Sequence, residues 1–114
     1  MTHCTHVSDA TFVKVKNGKR AIEPRLNDDA HRRIRLGDLM LFTNRTTNEE
    51  LLTKVVGVLR YPTFDQLFAA FPLRYFGSDT KEALHKEMHR YYTSEQETKW
   101  GVLGIKLHLL NIRE

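Results

Sequence analysis

The alternation of apolar and polar positions changes its period several times along the chain, and each change marks a new element. A short strand ending at Val7 is followed by a helix over residues 9–17, for which Ser8 is a good N-cap. A strand over residues 20–26 comes next. Because proline cannot donate a hydrogen bond to a neighbouring strand, Pro24 confines this strand to a sheet edge or a bulge.

Two apolar strands are predicted in the middle of the chain. A polar turn closes on a tight Gly37–Asp38 corner, and the following residues 39–43 are apolar on both faces of a strand. This pattern predicts a buried strand. Residues 51–61 are rich in β-branched side chains and long enough for a curved strand, in which Gly57 indicates a bulge or a bend.

The second half of the chain predicts two helices. Thr63 begins an amphipathic helix that ends at Pro72, and its buried face has four side chains at helical spacing, Phe64, Leu67, Phe68 and Phe71. A second helix is predicted over residues 79–92, with Ser78 as its cap. Its buried stripe consists of Leu84, Met88 and Tyr91.

The remaining segments complete the fold prediction. The polar segment 94–101 is predicted to be a loop, and the alternating residues 102–110 form the last strand. The element order β-α-β-β-β-α-α-β, with long bent strands, predicts an α+β fold. Its centre is a small mixed or antiparallel β-barrel of about five strands with two to three short helices. Because no repeat, low-complexity tract or linker interrupts it, we expect residues 1–114 to form a single domain.

Composition narrows the class of protein. Hydrophobic residues make up 40% of the 114 positions, which is typical of a globular chain with its own core. Cys4 is the only cysteine, so no internal disulfide can form, and an unpaired thiol suits a reducing cytoplasm. No apolar run approaches the roughly 18 residues of a membrane span. We therefore expect a cytoplasmic protein without a membrane partner, and we favour a monomer.

The positive charge of the chain is concentrated near its start. The formal net charge is +4, and residues 1–36 contain eight Lys or Arg against four Asp or Glu. Residues 37–114 contain ten of each sign, so the whole excess lies in the first third. This distribution favours an anionic partner such as RNA or a nucleotide, although mild basicity is also common in small domains that bind no anion.

Histidines are spaced as metal ligands at two places, but neither place predicts a metal site. Cys4 and His6 share one strand face, with His3 on the other, and no second cysteine pair follows. His85 and His89 lie one helical turn apart without a third ligand. The sequence also contains no P-loop, G-x-G-x-x-G or G-x-S-x-G motif. No metal and no cofactor are therefore predicted.

The stretch GKRAIEPRLND, residues 18–28, has the most unusual combination of residues. In an ideal strand Glu23 and Arg25 are neighbours on one face, while Arg20 lies on the other. On a solvated face the Glu23–Arg25 pair is an ordinary ion pair worth about 0–1 kcal/mol. At the mouth of a barrel, Arg25 would instead bind a phosphate or a base edge, and Glu23 would accept from an exocyclic amine. Residue types alone favour the surface ion pair.

Four segments, in order, resemble the ASCH domain family. They are VKNGKRAIEPRLND, IRLGDLMLFTN, VVGVLRYPTFDQLF and YYTSEQETKWGVLGIKL, and they cover nearly the whole chain. The resemblance implies a PUA-like β-barrel that binds RNA, or a nucleotide or nucleoside, in a cleft at the barrel. It also implies that residues of the first segment line this cleft, namely Lys19, Arg20, Glu23 and Arg25. Tyr92 is a further candidate contact because tyrosines stack on bases, whereas Tyr91 is expected in the core.

Some members of the wider superfamily are enzymes, which makes a hydrolase of RNA or of a modified nucleoside the alternative. Acetylcytidine amidohydrolases resemble this chain at Gly18, but their lysine falls at Arg20 and their nucleophilic threonine at Glu23. Arginine keeps its proton, and a carboxylate is a poor substitute for a hydroxyl nucleophile. The catalytic candidates that remain are Glu23 and Lys19. For a ribonuclease, the candidates are Lys19 and Tyr92. A protein-interaction module is a third class, which no specific feature supports.

Overall fold

The computed structural model describes the backbone of residues 1–113 and the burial of residues 1–110. The strands are β1 (Thr2–Val7), β2 (Ile22–Leu26), β3 (Leu39–Asn44), β4 (Glu50–Tyr61) and β5 (Val102–Arg113). The helices are α1 (Asp9–Lys16), α2 (Phe64–Ala70), α3 (Lys81–His89) and α4 (Ser94–Trp100), with a 3₁₀ turn at Leu73–Tyr75. None of the helices in this part of the chain is long and apolar enough to cross a membrane.

The five strands form one mixed sheet that curls into a half-barrel. Their order is β1-β3-β4-β5-β2, in which β1 and β3 are parallel and all other neighbours are antiparallel. The curl brings the two edge strands close together, and Arg25 on β2 donates from Nη1 to Oγ1 of Thr5 on β1 over 3.1 Å. We call the gap between β1 and β2 the seam. The predicted α+β class and the mixed sheet of about five strands are confirmed.

The proline of β2 lies where an edge strand tolerates it. The amide of Leu107 donates to the carbonyl of Ala21, and the amide of Asn27 donates to that of Gly101, each over 2.9 Å. Because antiparallel strands alternate between hydrogen-bonded and non-bonded pairs, Pro24 occupies a non-bonded position opposite Gly104. Its nitrogen therefore points away from β5, toward the seam. The prediction of an edge strand is confirmed.

Two hydrophobic cores share the start of β5. The first lies between α1 and the concave face of the sheet and includes Phe12, Val15, Met40, Phe42, Leu51, Val55, Leu103 and Ile105. The second lies under α2 and α3 and includes Ile22, Phe64, Leu67, Phe68, Phe76, Leu84, Met88 and Val102. Successive residues of β5 thus enter opposite cores. Because β2 pairs with this strand, it is fixed by both cores.

One predicted loop is a helix. Residues 94–101 contain α4, because Thr93 and Gln96 form a reciprocal capping box and Gly101 ends the helix with a φ of 72°. The carboxylate of Glu97 also accepts from the amide of Phe64 at the start of α2, over 2.7 Å. The prediction failed because α4 buries no side chain, so it has no apolar stripe to reveal it. The described residues therefore contain four α-helices rather than the predicted two or three.

The helix predicted over residues 79–92 is shorter than expected. Thr80 caps α3 by accepting from the amide of Ala83, whereas Ser78 forms a turn ahead of it through two hydrogen bonds with the Thr80 backbone. The helix ends at His89, and the chain then turns toward the cap of α4.

The predicted bulge at Gly57 is confirmed by a shift in the pairing of β4 with β5.

Two glycines in paired strands test how tightly the second core is packed. A Cβ on Gly104 would lie 2.9 Å from Cδ1 of Leu67 and 3.1 Å from Cγ2 of Ile22, both fully buried. We expect Gly104→Ala to lower the free energy of unfolding by about 1–3 kcal/mol. Gly57→Ala is the matched control, because its Cβ would meet only the exposed side chain of Lys106, at 2.8 Å. Urea unfolding measures both variants, and equal losses would contradict this explanation.

Candidate functional site

The seam widens into a cleft of about 480 Å³, which is a usual size for a ligand site. One wall is β1 with the start of α1, and the facing wall is β2. The end of α3 and the residues after it close one side, and the loop after β3 closes the other. The polar and aromatic groups that face the cleft include Glu23, Arg25, Arg45, Glu87, Tyr91 and Tyr92.

A buried arginine lies behind the wall of this cleft. Arg20 is only 2% exposed, and its Nε donates to the carbonyl of Phe76 over 2.8 Å. Nη1 donates to Oε1 of Glu23 over 3.1 Å and to Oε2 of Glu87 over 2.8 Å, and Nη2 donates to Oε1 of Glu87 over 2.7 Å. One guanidinium therefore ties together β2, α3 and the end of the 3₁₀ turn.

The position of Arg20 differs from that of a residue in a regular strand. β2 begins only at Ile22, and the chain bends at Ala21, so Arg20 forms an isolated bridge with Phe76 instead. The bend turns the Arg20 side chain toward Glu23. The expectation that these two residues lie on opposite faces of one strand is therefore wrong, because the regular alternation of side chains does not extend across the bend.

Glu23 is held by two guanidinium groups. Its Oε1 accepts from Arg20, and its Oε2 accepts from Nη2 of Arg25 over 3.3 Å. The other Nη of Arg25 binds Thr5 across the seam. Since the Glu23 side chain is 3% exposed, the Glu23–Arg25 pair is not the surface ion pair that residue types favour. It is part of a buried network, whose loss of hydration must be offset by well-formed hydrogen bonds.

Burial and charge shift the pKa of several groups around the cleft. Burial alone would raise the pKa of Glu87, but the hydrogen bonds and charge of Arg20 outweigh it and hold that pKa below its ordinary value. Burial raises the pKa of the Tyr92 hydroxyl. For His31, next to the end of β2, burial and the charge of Arg25 lower the pKa. At neutral pH, Glu87 is therefore ionised, and Tyr92 and His31 are neutral.

Arg45 is a cleft residue that the sequence did not reveal. Its side chain is exposed and makes no ion pair within the described part of the chain. Its backbone amide donates to the carbonyl of Val7 over 2.9 Å, and the buried Asn44 accepts from the amide of Thr46. Asn44 also donates to Asp9, which ties the loop to α1. In sequence, this loop shows only polar residues, and nothing in them indicates that it reaches the seam.

The two tyrosines after α3 both face the cleft, which was expected for Tyr92 only. Tyr91 is 52% exposed and faces the cleft, so its assignment to the core is wrong. The helical spacing used for that assignment does not apply, because α3 ends at His89. Tyr92 also faces the cleft, but it is half-buried and stacks on Phe64 with ring centroids 6.0 Å apart.

The structure places Lys19 away from the other candidate residues. It is exposed and lines a separate groove beside α1, together with Lys14, Arg74 and Tyr75. Of the five predicted ligand contacts, the cleft therefore contains Glu23, Arg25 and Tyr92, with Arg20 buried behind them. Within the described residues, no group of three or more His, Cys, Asp or Glu is arranged to hold a metal ion.

Comparisons with known proteins agree on one family. A family model described as the ASCH domain matches residues 6–111. The crystal structure of the hypothetical protein PH0355 superposes with a TM-score of 0.85 at 27% identity, over 96% of this chain and 100% of that one. Protein PF0455 from Pyrococcus furiosus gives a TM-score of 0.79 at 26% identity, over 97% of this chain and 99% of that one.

A more distant structure has the same fold. The ASCH domain from Lactobacillus crispatus JV V101 superposes with a TM-score of 0.67 at 12% identity, over 95% of this chain and 79% of that one. At this identity the similarity concerns the fold alone. Among curated proteins, none matches the sequence.

Removing the buried guanidinium tests how far the cleft depends on it. We expect Arg20→Met to lower the free energy of unfolding by about 3–5 kcal/mol, because Glu23 stays buried with one partner fewer. Arg25→Met is the matched control and should cost only about 1–3 kcal/mol, because Arg25 is partly exposed. Urea unfolding measures both variants, and an Arg20→Met protein as stable as the wild type would overturn this assignment.

The lowered pKa of Glu87 predicts how stability changes in acid. The contribution of this carboxylate is complete above its ordinary pKa of 4.5 and is lost as the pH falls through the lower pKa of the folded state. We therefore expect Glu87→Gln to be less stable than the wild type near neutral pH, with a difference that shrinks below about pH 4.5. Glu82→Gln, on the exposed side of α3, is the control and should show no such difference. A Glu87→Gln difference that does not change with pH would contradict the prediction.

Proposed function

The chain belongs to the ASCH domain family, whose members have a PUA-like fold, and on that premise we propose that it binds single-stranded RNA in the seam cleft. The observation that carries the proposal is the buried carboxylate of Glu23, fixed by two guanidinium groups at the base of a cleft whose rim has an exposed arginine. A carboxylate fixed in this way is a pre-organised acceptor for the exocyclic amine of a base.

The groups around Glu23 suit the other parts of a nucleotide. Arg45 has no carboxylate partner in the described residues and is free to bind a phosphate. The exposed ring of Tyr91 offers a face on which a base can stack. Arg25 keeps N–H donors beyond the two that bind Thr5 and Glu23, so it can reach a base edge without leaving them.

The same geometry favours binding over hydrolysis. A hydroxyl or thiol nucleophile needs a base within hydrogen-bonding distance. The cleft contains Cys4, Thr5, Ser8 and Thr11, but in the described residues none of them hydrogen-bonds to a carboxylate or an imidazole. Lys19, the other candidate for a catalytic role, faces a different groove. These observations support a binding module as the proposed function.

The salt dependence of RNA affinity tests the proposal. If Arg45 neutralises one phosphate, Arg45→Ala should weaken binding of an oligocytidylate, whose bases carry an exocyclic amine, and reduce the slope of log K against log salt by about 0.7. Fluorescence anisotropy of labelled RNA over a series of salt concentrations measures both quantities.

Lys54→Ala provides the matched control for this test. It removes the same charge from an exposed position on β4, which is two strands away from β1 and does not line the cleft. Its slope should remain that of the wild type. An affinity that does not respond to salt, or equal effects of the two variants, would count against RNA binding in the seam.

A further inference from the structure

A second group of cations lies beyond the end of β2, where the chain turns through residues 28–35. The turn is held by the amide of Arg32, which donates to the carbonyl of Asp28 over 2.8 Å. Ile34 is 2% exposed and anchors the turn in the first core. The neighbouring side chains all point into solvent, and they are Arg32, Arg33 and Arg35. A rigid turn thus presents three arginines on the surface.

The indole of Trp100 lies beside Arg32 of this turn. Cζ of Arg32 is 5.8 Å from the centroid of the Trp100 ring, and Nζ of Lys99 is 4.9 Å from it. Arg60 also reaches this place, since its Nη2 donates to the carbonyl of Arg32 over 3.4 Å. We call these four residues, Arg32, Arg60, Lys99 and Trp100, the indole cluster. Three positive charges and one aromatic ring therefore share one surface.

The charge of the indole cluster is hardly compensated. In the described residues its one ion pair joins Arg32 to Asp29 over 3.2 Å, with side chains 53% and 74% exposed. A pair exposed to this degree contributes little to stability and opens readily. Arg60 and Lys99 make no ion pair with any described residue. The cluster therefore keeps most of its positive charge available for an anion.

The indole of Trp100 keeps part of its surface open to solvent. Trp100 ends α4, a helix that buries no side chain completely, and the Trp100 side chain is itself only partly buried. A partly exposed ring among arginines and a lysine is a combination with which proteins bind unpaired bases, by stacking and by phosphate contacts.

The indole cluster and the cleft lie along the same strand. The amide of Asn27 donates to the carbonyl of Gly101, which places Trp100 beside the end of β2. Arg25, in the cleft, lies two residues before Asn27, or about 7 Å along the strand. The indole cluster therefore lies beyond the end of the strand that forms one wall of the cleft.

We propose that the indole cluster is a second contact for the same RNA strand, so that the ligand is a single-stranded polynucleotide rather than a free nucleotide. One base stacks on Trp100 in place of the exposed Lys99 ammonium, which then binds a phosphate together with Arg32 and Arg60. This proposal rests on the proposed function, since it extends the path of the RNA from the seam.

Trp100 is the only tryptophan, so its fluorescence reports on this contact directly. The probes are cytidine oligomers from a dinucleotide, which is short enough to bind in the cleft alone, to about 12 nucleotides, within the range of about 4–16 nucleotides that a small barrel covers. We expect the longer oligomers to change the fluorescence and to bind more tightly than the dinucleotide. Trp100→Ala should weaken their binding by about 5- to 100-fold, the effect of one lost stacking contact.

Further variants separate stacking from folding and from the cleft. Trp100→Phe keeps an aromatic face and should restore most of the affinity for long oligomers. Lys99→Gln, at an exposed position, should reduce the salt slope for long oligomers by about 0.7 and leave dinucleotide binding unchanged. Arg45→Ala, in the cleft, should weaken binding of the dinucleotide and of the long oligomers alike.

The outcomes distinguish this proposal from the proposed function. Suppose that RNA binding depends on Arg45, while the affinity is independent of oligomer length and Trp100→Ala binds like the wild type. In that case the indole cluster is not a contact, and RNA binding in the cleft is still supported. If long oligomers bind through Trp100 but do not depend on Arg45, the shared path is wrong, and so is RNA binding in the seam.

Discussion

The hydrogen bonds of the Arg20 guanidinium are the interaction on which the rest of the site depends. A fully buried arginine is stable only when its donors are satisfied, and here they bind two carboxylates and one carbonyl. These three partners belong to β2, α3 and the end of the 3₁₀ turn, which are distant in sequence. The Arg20 guanidinium therefore fixes the relative positions of these elements, and it holds the carboxylate of Glu23 at the base of the cleft.

The half-barrel supplies the opening above this network. A closed barrel would pair β1 with β2, but the two strands remain edges and are joined by the Arg25–Thr5 contact in place of a backbone ladder. Pro24 keeps its nitrogen on the seam side, which is one of the ways in which proteins protect an edge from pairing. Pro24 thus offers no donor at the middle of the seam edge, and the cleft is the space between the two unpaired strands.

The sequence predicted the fold better than the site. Alternating and helical patterns located all five strands and the helices that bury apolar side chains, because burial produces those patterns. They missed α4, which is held by caps and by Glu97 rather than by burial. The family resemblance indicated the segment of β2 that lines the cleft. A strand pattern could not show that the bend at Ala21 brings Arg20 to Glu23, because this contact depends on tertiary structure. For the same reason it could not show that the distant Glu87 joins them or that Arg45 faces the same cleft.

The central claim is that single-stranded RNA binds in the seam above the Arg20–Glu23–Glu87 network. The most direct test is an NMR titration of the ¹⁵N-labelled protein, including its arginine side-chain N–H groups, with a short cytidine oligomer. This account predicts that the largest shifts fall on β1, β2, Arg45 and the residues after α3. Shifts confined to the groove of Lys14, Lys19 and Arg74, with an unchanged seam, would contradict it.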